Sequence, residues 1–299
     1  MSRTIREKSN NYISQIVIFS VLIDKAKSAE YHEGKLLNDI FCEGIDMKQQ
    51  QIYLSTIDGN AADLARQHGF GLEIAEYCTA YNMDEFFEVT DRTVQTKLKS
   101  SPNRILHAPF NELFPCAIDP LSRKLSKYRY HQAIKLAQRY KAHKIVIHGG
   151  YNPRIYYPIW YVEQSIVFWK EFMEEVPADL EICLENVLEE EPSMLLDIVS
   201  AVAHPQLKLC LDVGHVNAYS AISADAWLTA WAPYLSHFHI HNNDSSWDSH
   251  SALPCGTIPM KEFLLQADSL FPTATYTLEL TEAADSIRWL MEELPWNNK

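Results

Sequence analysis

Six short apolar runs in the last two-thirds of this 299-residue chain each end, or nearly end, on a histidine, aspartate or glutamate. They are RILHAPF with His107, KIVIHGG with His148, EICLEN with Glu185, KLCLDVGH with Asp212 and His215, HFHIHNND with His239, and YTLEL with Glu279; WDSH adds Asp248 and His250. A polar residue closing an apolar run costs free energy unless it reaches a partner. Five imidazoles and four carboxylates brought into one cavity find that partner in divalent cations, because carboxylates at close range cannot all ionise without them. Mixed nitrogen and oxygen donors suit zinc, manganese or cobalt better than calcium, and the lack of thiolate ligands argues against a structural zinc knot.

The lead residues of the six runs lie 27 to 41 positions apart, room for one strand, one helix and two loops. Such spacing predicts repeated βα units, with strands near 51–57, 71–77, 103–109, 144–149, 180–186, 207–213, 236–242 and 275–281. Helices are expected at 59–67, 84–100, 120–141, 158–175, 192–203, 223–234, 259–269 and 282–294, with Pro120, Pro158, Pro192 and Pro259 near first-turn positions and Ser223 as an N-cap. Eight alternations point to a closed (β/α)8 TIM barrel, whose strands all deliver their last residues to one mouth. A doubly wound open sheet is the alternative, but IDGNAAD follows the first strand where a glycine-rich nucleotide turn would stand.

Composition sets outer limits. The chain is 47% hydrophobic, enough for one large core, and its net charge of −13 with no basic block weighs against a nucleic-acid or acidic-membrane partner. Six scattered cysteines without a CxxC pair imply a reduced, cytoplasmic setting. Cys183 and Cys210, two residues before Glu185 and Asp212, read as small core residues one layer below the site. Residues 1–48 depart from the pattern and read as an N-terminal extension before a barrel at 49–299. Its stretch ISQIVIFSVLI is too short to span a bilayer, and Met47 offers an alternative start.

From about residue 50 onward, the chain resembles the xylose isomerase-like barrel superfamily, which joins endonuclease IV with sugar isomerases and epimerases. The endonuclease branch holds three zinc ions with nine residues in the order His, His, Glu, Asp, His, His, Asp, His, Glu. His107, His148, Glu185, Asp212, His215, His239, Asp248, His250 and Glu279 stand here in that order, with the family's DxxH and DxH spacings. Of the three histidines that share a strand face, His239 stands nine residues before Asp248 and takes the ligand place; His237 and His241 read as supports. Relatives often carry Gly-x-Gly after the DxH pair, whereas Leu253, Pro254, Cys255 and Gly256 stand here, which puts substrate shape in doubt more than metal binding.

The resemblance implies two chemistries. The isomerase and epimerase branch holds a single Mn2+, Co2+ or Mg2+ with the residues matching Glu185, Asp212, His239 and Glu279, and the two glutamates exchange a proton through an enediolate. The endonuclease branch uses up to three Zn2+ to hydrolyse a phosphodiester at an abasic site. The full set of nine ligands favours the second; the loops favour the first. NVLEEEP places Glu189, Glu190 and Glu191 beside the site, and Arg154 in GGYNPRIYYPIW is the one clear cation. That loop's Tyr151, Tyr156, Tyr157 and Trp160 offer a wall for a polyol or pack on helices, while Asn111, Arg154 and Trp247 are candidate substrate contacts. The expectation is a metal-dependent sugar or sugar-phosphate isomerase or epimerase, set against an endonuclease IV-like phosphodiesterase and a non-catalytic metal- or sugar-binding barrel. A homo-oligomer is left open.

Overall fold

The computed structural model describes residues 49–294; the expected extension, with its apolar stretch and Met47, lies outside the described residues, as do 295–299. Eight parallel strands close into a barrel in sequence order, β8 pairing with β1. They are β1 (Ile52–Ser55), β2 (Gly71–Ile74), β3 (Arg104–His107), β4 (Lys144–His148), β5 (Glu181–Glu185), β6 (Leu207–Asp212), β7 (Leu235–Ile240) and β8 (Thr275–Leu278). Each strand ends one to three residues before its expected bound.

The helices are α1 (Ala61–His68), α2 (Phe87–Lys97), α3 (Pro120–Tyr140), α4 (Pro158–Met173), α5 (Ser193–Val202), α6 (Val213–Tyr219), α7 (Ala224–Trp231), α8 (Met260–Leu270) and α9 (Ala284–Glu293). Pro120 and Pro158 open their helices, where a missing N–H costs nothing, and Asp119 caps α3 by accepting from Leu121 N at 2.7 Å. Pro192 and Pro259 instead occupy the N-cap position. Ser223 sits at the N-cap of α7, yet its hydroxyl makes no capping bond; its backbone carbonyl accepts from Ala226 and Trp227 instead.

Helix α6 was not expected, since it starts on the residue after β6 with no loop between. Asp212 makes this possible by accepting from the backbone N–H of His215 at 2.7 Å, an N-cap to N3 bond. The DxxH spacing is therefore a helix-start spacing as well.

Strand alternation divides the apolar interior. Residues facing the helices join one large core with Trp169, Trp227 and Trp231 fully buried. Inside the barrel, Tyr53, Ile105, Val146, Cys183 and Cys210 form a separate small layer two residues below the expected ligands, where the two cysteines were placed. Among the described residues, no helix is long and apolar enough to cross a membrane.

Candidate metal centre

The nine expected residues converge at the carboxyl end of the barrel. His107 Nε2 and His148 Nε2 lie 3.3 and 3.4 Å from Glu185 Oε2. His239 Nδ1 stands 3.1 Å from both Glu185 Oε1 and Glu279 Oε2, and 3.8 Å from Asp212 Oδ2. Asp248 Oδ2 is flanked by His215 Nε2 at 3.2 Å and His250 Nε2 at 3.0 Å. These groupings contain two compact triads, His107 with His148 and Glu185, and His215 with Asp248 and His250.

The outer ring nitrogens fix how the inner ones are presented. A carbonyl oxygen only accepts, so Nδ1 must donate in His107 (to Ala108 O, 2.9 Å), His215 (to Asn186 O, 2.8 Å) and His250 (to Glu279 O, 2.8 Å). When its inner proton is displaced, each ring turns an Nε2 lone pair inward, the tautomer a metal requires. His239 is mounted the other way round: its Nε2 donates to Glu73 Oε1 at 3.0 Å and Nδ1 faces the carboxylates.

Three buried atoms here lack a well-aligned hydrogen bond among the described residues: Glu185 Oε2, with His107 and His148 Nε2 at 3.3 and 3.4 Å, and Asp248 Oδ1 and His241 Nδ1, which face each other at 3.6 Å. A buried acceptor left unpaired is costly, and three beside facing lone pairs are what a cation resolves. The donor set therefore fits divalent ions.

Electrostatics agree. Burial acts to raise Glu185, but the neighbouring His239 and His148 outweigh it and hold the carboxyl well below the usual range. Burial lowers His148 to about 4, with Glu185 opposing, so its lone pair is free at neutral pH. Burial also works against a charge on His215, yet the Asp212 charge and the Asp248 hydrogen bond lift it to about 10; in His250 burial is likewise overcome, chiefly by Asp248, reaching about 9. Protons on these rings balance the carboxylates, and a metal would replace them.

Loops complete the frame. Asn242 pairs with Ser251 in an isolated bridge, and its amide donates to Leu253 O and Ile258 O, pinning both ends of the loop that carries Asp248 and His250. His250 is held at φ +45°, a conformation that L-residues rarely adopt. Gly256 permits the turn, since a Cβ there would collide with Asn242 Oδ1.

Some expected residues behave differently. Glu189 is buried, accepting from Tyr161 OH and Val187 N at 2.8 Å each, while Glu190 and Glu191 stay exposed. Tyr151 and Tyr156 are buried against Tyr161 and Phe114, and Trp160 donates to Cys116 O, so packing accounts for most of the expected aromatic wall; Tyr157 alone of the four is exposed. Asn111, Arg154 and Trp247 lie on mouth loops, and their side chains neither hydrogen-bond nor ion-pair with the nine.

Four neighbours were missed or undervalued. Phe110 stacks on His148 at 4.3 Å, Asn186 bonds the Asp212 backbone both ways, and Glu73 grips His239. His241 Nε2 donates to Asp212 Oδ2 at 3.0 Å and its ring stacks on His250 at 4.0 Å. The HxHxH run was the available signal for His241; the others had none beyond a polar or aromatic residue near a strand end.

The family described as xylose isomerase-like TIM barrel matches residues 62–295. The chain belongs to that family. An uncharacterized protein of Methanocaldococcus jannaschii is 26% identical to this family member over 195 residues; the match spans 62% of this chain and 66%, just under two thirds, of that relative. A D-tagatose 3-epimerase-like protein superposes with a TM-score of 0.65 at 22% identity, covering 82% of this chain and 97% of its own. A Thermus thermophilus protein soaked with ZnCl2 gives 0.66 at 21%, covering 81% and 97%. Identities at this level bear on the xylose isomerase-like fold alone.

Proposed function

We propose that this chain is a divalent-metal-dependent epimerase or isomerase of a small ketose, keto-polyol or sugar phosphate. The observation that carries this reading is the charge of the mouth. Across the segments that follow the eight strands, Arg154 is the only lysine or arginine, against Glu85, Glu112, Glu190 and Glu191 among others, while Glu76 and Asp84 are paired with Lys97 and Arg129 from the helices. A duplex needs its phosphates neutralised, whereas a small polyol needs only hydrogen-bonding groups and a shaped cavity. The D-tagatose 3-epimerase-like fold relative is consistent with that substrate class.

Glu185, Asp212, His239 and Glu279 would hold the ion, which when bound polarises the substrate carbonyl and its neighbouring hydroxyl. Glu185, ending β5, and Glu279, just after β8, approach His239 Nδ1 at 3.1 Å each, so a substrate seated there would meet two carboxylates. One takes the proton from the carbon beside the carbonyl, breaking the C–H bond to leave an enediolate. The other returns a proton to the opposite face, or to the adjacent carbon in an isomerisation. Phe110, stacked on His148, supplies an apolar wall against water, and Asn111, Arg154 and Trp247 would meet outer hydroxyls or a phosphate.

The triad of His215, Asp248 and His250 favours one rival, an endonuclease IV-like phosphodiesterase with three zinc ions. Elemental mass spectrometry on protein purified without chelator, followed by NMR detection of solvent deuterium entering ketohexoses, separates the two. Turnover should fall by about 10²–10⁴-fold in Glu185→Gln and Glu279→Gln. Near-normal turnover in either variant sinks the assignment. Incision of an abasic duplex with steep salt dependence, without sugar turnover, would establish the rival, and sugar binding without change would indicate a binding module.

A further inference from the structure

We propose that Glu73, outside the expected ligand set, is the positioning residue that presents Nδ1 of His239 to the metal; the proposal rests on the metal-dependent reading above. Glu73 lies on β2, 1% exposed, on the barrel-facing side between outward-facing Leu72 and Ile74. Its partners come from β8 and β7, two and three strands round the barrel. Oε1 accepts from His239 Nε2 at 3.0 Å, while Oε2 accepts from His237 Nε2 at 3.2 Å and from the Thr277 hydroxyl. His237 is steadied in turn by Thr275, whose Oγ1 lies 2.6 Å from its Nδ1.

A carboxylate buried to this depth costs several kcal/mol of lost hydration, roughly, and an apolar residue would fill the space more cheaply. Its placement is accounted for by what it does to His239. With Nε2–H committed to Glu73, the ring cannot turn over without abandoning a charged acceptor, and the Nδ1 lone pair is aimed between Glu185 and Glu279. His107, His215 and His250 give their outer N–H to neutral backbone carbonyls, whereas His239 gives its own to a carboxylate, which makes the imidazole the stronger metal donor. His237 and Thr277 occupy the second oxygen, so the carboxylate itself cannot swing away. A mere folding brace would grip the same two histidines, and the two roles separate experimentally.

Zinc titration in competition with a chromophoric chelator, on wild type, Glu73→Gln and Glu73→Ala, is the test. Glu73→Ala should weaken the site containing His239 by about 10–100-fold, with Glu73→Gln between. Long-range ¹H–¹⁵N spectra of zinc-loaded wild type should show His239 protonated at Nε2 and metallated at Nδ1, a signature that Glu73→Ala loses. Should Glu73→Ala fail to fold, Thr277→Val removes one of the two donors to the second oxygen, loosening the carboxylate, and should still weaken zinc binding several-fold. Unchanged zinc affinity in the folded variants, with only a lower unfolding midpoint, would reduce Glu73 to a folding brace and overturn the proposal. Wild type that takes up no divalent ion overturns this proposal and the functional reading together. Wild type that binds zinc through His239 Nδ1 yet leaves every sugar unchanged overturns only the functional reading.

Discussion

At the amino end of the barrel, Lys144 is buried with each of its donors in use: Ser236 O at 2.9 Å, Ser236 Oγ at 3.0 Å and Thr275 Oγ1 at 2.9 Å, with Glu181 3.2 Å away. At the carboxyl end, carboxylates and imidazoles crowd together, and Glu185 Oε2, Asp248 Oδ1 and His241 Nδ1 lack a well-aligned hydrogen bond among the described residues. Both ends bury polar side chains, so burial does not tell them apart. Saturation does: the polar set around Lys144 is closed within the scaffold, whereas the crowded set at the mouth is left open for a ligand.

The comparison breaks most readily at the saturated end. Lys144→Met leaves Glu181 and the two hydroxyls without their cation and should cost about 3 kcal/mol in denaturant unfolding, while zinc affinity stays unchanged. A fall in zinc affinity would mean that the two ends are not separate systems. At the open end, chelation should remove about 2.7 kcal/mol where the ion had been held at a hundredfold over its Kd. The unfolding midpoint in a thermal melt should then drop by roughly 5–10 °C. One atom links the two ends: Thr275 Oγ1 meets both Lys144 Nζ and His237 Nδ1. The two perturbations should add within about 0.5 kcal/mol, and a larger departure would locate coupling in that hydroxyl.

The smallest effect belongs to the outer shell, where Arg139 donates twice to Asp91 at 2.7 Å and Tyr140 OH donates at 2.6 Å. The Arg139 hydrogen bonds hold Asp91 below the ordinary carboxylate range. Its folded value thus lies under the unfolded one, near 3.9, so its stabilisation is complete above that pH and fades as pH falls through and below it. Arg139 is 45% exposed, so Asp91→Asn should cost less than about 1 kcal/mol at pH 7. The gap to wild type should narrow from pH 5 to pH 3, and a constant gap would show that packing, not charge, is at work.

The barrel and the convergence of His107, His148, Glu185, Asp212, His239 and Glu279 were legible because a two-residue period aims inward residues at the mouth, while the DxxH and DxH spacings pointed to His215, Asp248 and His250. Glu73 was not legible. Its two histidine partners lie 164 and 166 residues away, and a single acid in GLEI carries no sign of which strand it faces. Glu189 misled because EEEP reads as a solvated acidic loop, whereas Tyr161 OH and Val187 N draw that one carboxylate inward. Helix α6 was invisible to periodicity because seven residues including Gly214 make too short a pattern.

Gly214 has a consequence for how such chains diverge. A Cβ at 214 would fall on Cε1 of His241, inside the ring's own volume. The hydrogen at 214 and the imidazole at 241 are therefore one inherited choice: a descendant that acquires alanine at 214 must surrender the ring, and one that surrenders the ring is free to vary at 214. Aligned relatives should change at these two positions together, which makes the pair a readable marker of which lineages keep a third histidine at the end of β7.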